Sequence, residues 1–291
     1  MSVTTSTPST SLSPSEAAGR PSTITIVGWE VRKLAAQKRT WLGLVASALA
    51  PLVLVAAMSL QNTPLPKDIA FGRYIRDTGL AGPLVLLGFG GIFFFPMLTA
   101  LVAGDLFSSE DHHGTWKTYL TRSVSRPQVY GAKVLAGMAY AVLAMFIMAV
   151  MSVPACVLRF GFKPLVSLSG ADIGPRHGLG LVVASWGLSA LSVLAFTAIA
   201  LAASVLTRNS VSGVVFPVIL SFVMQLVAFL SGATVVRHFL LTSQFDAFHG
   251  MFHDPAYSVM VARGIWIPFA YAIPPLLISY RVFTRRDVAG G

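Results

Sequence analysis

The sequence predicts an all-α integral membrane protein: six transmembrane helices, an amphipathic interfacial helix ahead of the first, and a further short helix in the loop between spans 2 and 3. Three observations carry this. Of the 291 residues, 55% are hydrophobic and only 11% charged, less than half the ~25% charged residues of soluble domains. Six apolar runs, about 41–60, 82–104, 134–158, 179–206, 211–236 and 264–280, each approach the ~20 residues that cross ~30 Å of hydrocarbon as a helix. Finally, the runs are solid, whereas barrel strands would show ~10-residue alternating segments.

The elements follow in order along the chain. Residues 1–22, rich in Ser, Thr and Pro, read as a disordered tail, and 23–291 as one transmembrane domain. The tail does not have the layout of a signal peptide, because the first apolar run begins only at Trp41. Residues 24–40, ITIVGWEVRKLAAQKRT, place Val27, Val31, Leu34 and Ala35 on one helical face and Glu30, Arg32, Lys33, Gln37 and Arg39 on the other. Such a pattern suits a helix lying in the interface, its basic side chains among anionic headgroups.

Basic residues set the expected orientation. With the N-terminus inside, thirteen of the 21 Lys and Arg residues fall in the cytoplasm, and six spans put both termini on that side. This makes the chain a multi-pass protein of the cell membrane, in contact with lipid. The net charge of +10 comes without the aromatic-interleaved basic patch that nucleic acid requires, so no nucleic-acid partner is expected.

Residues 108–126, SSEDHHGTWKTYLTRSVSR, form a hydrated stretch between spans 2 and 3. Gly114-Thr115-Trp116-Lys117-Thr118 superficially resembles a phosphate loop, yet Trp116 stands where glycine must precede the lysine. The segment has helix signals instead. Ser125-Arg126-Pro127-Gln128 fits a capping box, so the third helix starts well before the membrane. Residues 114–122 can make short helical turns presenting Trp116, Tyr119 and Leu120 for docking on another protein.

These residues carry a resemblance. Glu110, then Gly114-Thr115, Tyr119-Leu120, Val124-Ser125-Arg126 and Lys133 are similar to the E-x-x-x-G-T, L-L, P-V-S-R and K signature of ABC-2 type transporter permeases, with Trp116 in place of the usual leucine and Ser123 in place of proline. An N-terminal helix with Glu30, Arg32 and Lys33, six spans and a long outer segment before the last extend the likeness. The resemblance implies that the loop between spans 2 and 3 holds a cytoplasmic coupling helix, with Glu110, Gly114, Thr115, Trp116, Tyr119, Leu120 and Arg126 in the contact region for a separate ATPase subunit. It also implies a second permease chain, homodimeric or heterodimeric, ATP and Mg held by the partner ATPase, and no cofactor in this chain.

Other features are weaker. Ser185, Ser189 and Ser192 share a face of the fourth span, and Gln225 is an amide within the fifth; they suit helix packing or a substrate path. Gly88, Gly90, Gly91 and Pro96 make the second helix deformable. His249 and His253 stand four apart in DAFHGMFHDPAY, but without a third ligand this reads as an aromatic re-entrant or interfacial segment, and no metal site is expected. The lone Cys156 can form no intrachain disulfide.

Two functional readings follow. The first is the permease of an ATP-driven exporter of an amphipathic drug, lipid or peptide, with no enzymatic activity of its own. The second is an intramembrane enzyme, a protease or lipid transferase. Such an enzyme needs facing ionisable groups, and the six runs contain no Asp, Glu, His, Lys or Arg between their ends.

Overall fold

The computed structural model describes residues 21–61, 69–112, 124–230, 232 and 234–285. The interfacial segment is helix α1, Thr23–Ala35, begun by Ser22, whose hydroxyl accepts the Thr25 N–H at 3.2 Å. Six helices long and apolar enough to span a membrane follow: α2 (Lys38–Leu60), α3 (Ala81–His112), α4 (Arg126–Phe160), α5 (Pro175–Thr207), α6 (Ser210–Phe229) and α7 (Ser258–Arg285). The only strands among the described residues are β1 (Leu165–Val166) and β2 (Asp172–Ile173), an antiparallel pair in the α4–α5 connection.

Helix α5 lies at the centre. Burial covers 72% of its apolar window, against 22% for α2 and α6 and 17% for α7, and α3, α4, α6 and α7 all pack on it. Its composition explains this position, because Ala, Ser and Gly let neighbouring backbones come close without lipid-facing bulk. Helices α3 and α6 meet backbone to backbone. A Cβ added to Gly213 would stand 2.0 Å from the Gly104 carbonyl oxygen, so only glycine fits there.

Several helix limits differ from the apolar runs, each for a local reason. Helix α4 starts at Arg126, where the backbone N–H of Ser125 donates to Gln128 Oε1 at 3.1 Å, and so protrudes beyond the run that starts at 134. Helix α3 continues past residue 104 because Ser204 accepts the N–H groups of Phe107 and Ser108 at 3.1 and 3.0 Å and holds the added turns. Helix α6 stops at Phe229 rather than 236. Helix α7 runs through Pro268, Pro274 and Pro275 and is longer than the run 264–280.

Within α3, Gly90–Phe94 forms a π-turn in which the Phe95 N–H reaches Gly90 O. Pro96 follows immediately, and its missing N–H removes one rung of the α-helical ladder, which favours the wider turn.

The two ends of the bundle have separate cores. At the proximal end, where both α1 and the end of α7 lie, Ile26, Leu34, Phe107, Tyr130 and Phe283 pack together. At the distal end the chain between α6 and α7 folds inward as a 3₁₀ segment, Thr242–Phe252. Its Phe245 is stacked between Phe95 (5.9 Å, 19°) and Phe196 (6.1 Å, 16°). Gly91 makes room for it, since a Cβ there would meet the Phe245 ring at 2.3 Å.

Candidate functional site

A chain of alternating charges ties α1 to the proximal ends of α3 and α4. Lys133, two turns into α4, is 1% exposed, and Glu30 and Glu110 are 2% and 6% exposed. The Lys133 ammonium donates to Glu30 Oε2 at 2.9 Å, to Glu110 Oε1 at 3.2 Å and to the Leu106 carbonyl at 3.1 Å. Its three donors are therefore all used, which is what allows a lysine to be buried. Lys33 closes the chain from α1: it bonds Glu110 directly and stands 4.0 Å from Glu30 Oε1. Two carboxylates and two ammonium groups thus neutralise one another. A further pair, Arg39 with Asp105, ties the start of α2 to α3.

This geometry corrects two sequence expectations. The periodicity of α1 puts Glu30 on the wet face and Val31, Leu34 and Ala35 on the face that enters the leaflet; instead Glu30 is buried against the bundle with Ile26 and Leu34, while Val31, 45% exposed, and Ala35 stay exposed as a lipid-facing side requires. The helix has three sides. One packs on protein, one carries exposed Ile24, Val31 and Ala35 suited to lipid, and one carries Arg32 for water. Second, Glu110 was expected in an exposed loop, and the structure buries its carboxylate between Lys133 and Lys33.

The ends of the proposed contact segment are held firmly. On one side stand Glu110 and the Ser108–Ser204 contact (3.2 Å); on the other the Arg126 guanidinium donates to the Thr284 carbonyl at 3.1 Å. One turn on, the Tyr130 hydroxyl donates to the Leu276 carbonyl at 2.8 Å and lies 2.8 Å from Ser279 Oγ. The two flanks of the segment thereby touch α1, α4, α5 and α7. Gly114, Thr115, Trp116, Tyr119 and Leu120, with the expected coupling helix, lie outside the described residues.

The remaining sequence candidates separate. Ser185, Ser189 and Ser192 are all fully buried, and Ser185 donates back to Leu181 of its own helix at 2.7 Å. Gln225 is half-buried, on the side of α6 that carries exposed Phe222 and Phe229. His249 lies against the rings of Phe248 (4.3 Å) and Phe71 (5.9 Å), and among the described residues no group of three His, Cys, Asp or Glu could hold a metal ion. Sequence reasoning missed the Arg39–Asp105 pair and the contact of Asp246 with the Gly88 turn. The first had a signal, a charge at each edge of neighbouring apolar runs; the second joins residues far apart in the sequence and left no local trace.

Fold and site together define a polytopic α-helical membrane protein whose N-terminal helix α1 is locked by ion pairs to α3 and α4. The chain belongs to the ABC-2 family of transporter proteins, whose family model matches residues 26–228. That stretch contains most of α1, the ion-paired cluster and all but the last residue of spans one to five; no curated protein matches the chain. It is accordingly a membrane component of an ABC transporter.

Proposed function

We propose that this chain is the membrane-spanning subunit of an ATP-driven exporter, energised by a separate ATPase that binds ATP and Mg. Two permease chains, identical or different, would stand on a pair of such ATPases in the cell membrane. Both termini would face the cytoplasm, since thirteen of 21 basic residues then lie inside. The exported molecule would be amphipathic: a drug, a lipid or a peptide.

The buried Glu30–Lys133–Glu110–Lys33 cluster is the observation that supports this most. It joins the start of the contact segment to α1 and α4, so a push on residues 113–123 would move those helices as one unit. Glu110 would then act as a fastening inside the permease, and Trp116, Tyr119 and Leu120 would supply the docking contacts. Gly114 and Thr115 would belong to the same contact region, and Arg126 would pass motion to α7 through the Thr284 carbonyl.

The test is pull-down of the full chain with the ATP-binding cassette ATPases of its own cell. Tyr119→Ala and Leu120→Ala should each weaken copurification, since apolar anchors in a groove typically contribute ~2 kcal/mol or more. Glu110→Gln should leave copurification largely intact but reduce substrate-stimulated ATP hydrolysis. A chain that retains no ATPase, or variants indistinguishable from the parent in both assays, would remove the reading.

A further inference from the structure

Asp246 stands at a depth where a carboxylate is unexpected. The ring of its neighbour Phe245 is stacked on Phe95 and Phe196. Phe95 lies ten residues from Asp105, where the proximal charged layer begins, and Phe196 eleven from the end of α5. Both separations make about 15–16 Å of helix, half of the ~30 Å hydrocarbon layer, so Phe245 reaches the middle of the membrane. An Asp246 oxygen lies 3.9 Å from the place a Cβ on Gly88 would occupy, and the helix from Gly88 to Asp105 is about 25 Å long. The carboxylate therefore sits between the midplane and the distal surface.

Its side chain is 53% exposed, and the ring nitrogen His249 Nδ1 is 3.9 Å away, beyond hydrogen-bond reach. An ionisable group at this depth is costly against lipid and marks a ligand path or a water-filled cavity. The surface around it is aromatic. Phe89 and Phe93, one turn apart on α3, are 48% and 46% exposed. Phe93 meets Phe222 of α6, itself 54% exposed, at 5.0 Å and 46°. Because α6 runs antiparallel to α3, its next turn, with Gln225 and Phe229, comes level with Phe89 and Gly88. The π-turn at Gly90–Phe94 sets the position of Phe93, and such turns recur at functional sites.

We propose that Asp246, Phe89, Phe93, Phe222 and Gln225 form a binding site for lipophilic organic cations between α3, α6 and the 3₁₀ segment. As a substrate class it rests on the transport reading above. Exposed ring faces attract delocalised or quaternary cations that water holds loosely; the carboxylate supplies the countercharge, and the Gln225 amide a polar contact. An anion of the same shape meets the same rings but the wrong charge.

Equilibrium dialysis of the purified full chain in detergent tests the site, with radiolabelled tetraphenylphosphonium as probe and tetraphenylborate as the anion of like shape. The expected result is saturable binding of the cation alone. Asp246→Asn should weaken it about tenfold or more, with Asp246→Glu close to the parent. Phe93→Ala should weaken it about two- to fivefold, and Asp254→Asn should have no effect. All variants are compared as monodisperse protein. Non-saturable uptake, equal binding of tetraphenylborate, or an Asp246→Asn variant that binds like the parent would overturn the site. A separate arm measures ATP-driven accumulation of the cation in inverted vesicles holding the chain and its ATPase. Asp246-dependent binding without accumulation removes the transport reading and leaves the site; accumulation unaffected by Asp246→Asn removes the site and leaves transport.

Discussion

The two ends of this membrane domain are fastened in opposite ways. At the proximal end, Glu30, Lys33, Glu110 and Lys133 hold three helices by charge; at the distal end, Phe245 is held by ring stacking and by the absence of a side chain at Gly91. A buried ion pair specifies one geometry, because any other leaves a charge without its partner. Stacked rings tolerate sliding, since dispersion contacts fall off gradually and have no single partner. The difference teaches where stiffness belongs in such a machine: rigid where force would enter, and adjustable where a ligand would pass.

Substitutions can break or sharpen that contrast, and the largest effect is expected at Lys133. Lys133→Ala leaves two buried carboxylates with one ammonium group and should destabilise the fold by about 3–5 kcal/mol, read as a lower apparent melting temperature in detergent. Combining Lys133→Met with Glu30→Gln and Glu110→Gln should recover most of that loss, because no buried charge is then stranded. A triple variant as unstable as Lys133→Ala would mean that the ion pairs themselves stabilise the fold, not merely that stranded charge is costly.

Gly91→Ala comes next. The added methyl collides with the Phe245 ring, and overpacking of this kind costs about 1–3 kcal/mol. Pairing it with Phe245→Leu should restore the melting temperature in part, which a merely helix-stabilising alanine would not require. The smallest effect belongs to Arg39→Gln. The guanidinium is 27% exposed, so the loss should be no more than about 1 kcal/mol and should shrink as salt is added. A salt-independent loss of several kcal/mol would place this pair with the buried cluster instead.

The same contrast explains what could be read from sequence. The spans were legible because lipid imposes one rule, an apolar run of fixed length, and α2, α4 and α5 each contain the run assigned to them. The π-turn was foreshadowed by Gly90, Gly91 and Pro96. The face of α1 was not legible: periodicity assigns every charge to water, and only the arrival of Lys133, 103 residues away in sequence, makes burial of Glu30 favourable. Pairing across such a distance leaves no local trace. Asp246 falls in the stretch that reads as a re-entrant or interfacial segment, but its approach to Gly88 was illegible for a related reason, since it joins residues far apart in the sequence.

The central place of α5 has a consequence for how the chain is made. Synthesis runs from the N-terminus, so α5 leaves the ribosome before α6 and α7, two of the helices that enclose it, exist. During that interval the side it later turns to α7 must face lipid or whatever protein attends insertion. It carries no charge from Leu179 to Leu206, so the half-built bundle is tolerated by the bilayer while it waits. When α7 arrives it covers that side and, by accepting the Arg126 guanidinium at Thr284, ties the last helix synthesised to the start of α4, made long before it.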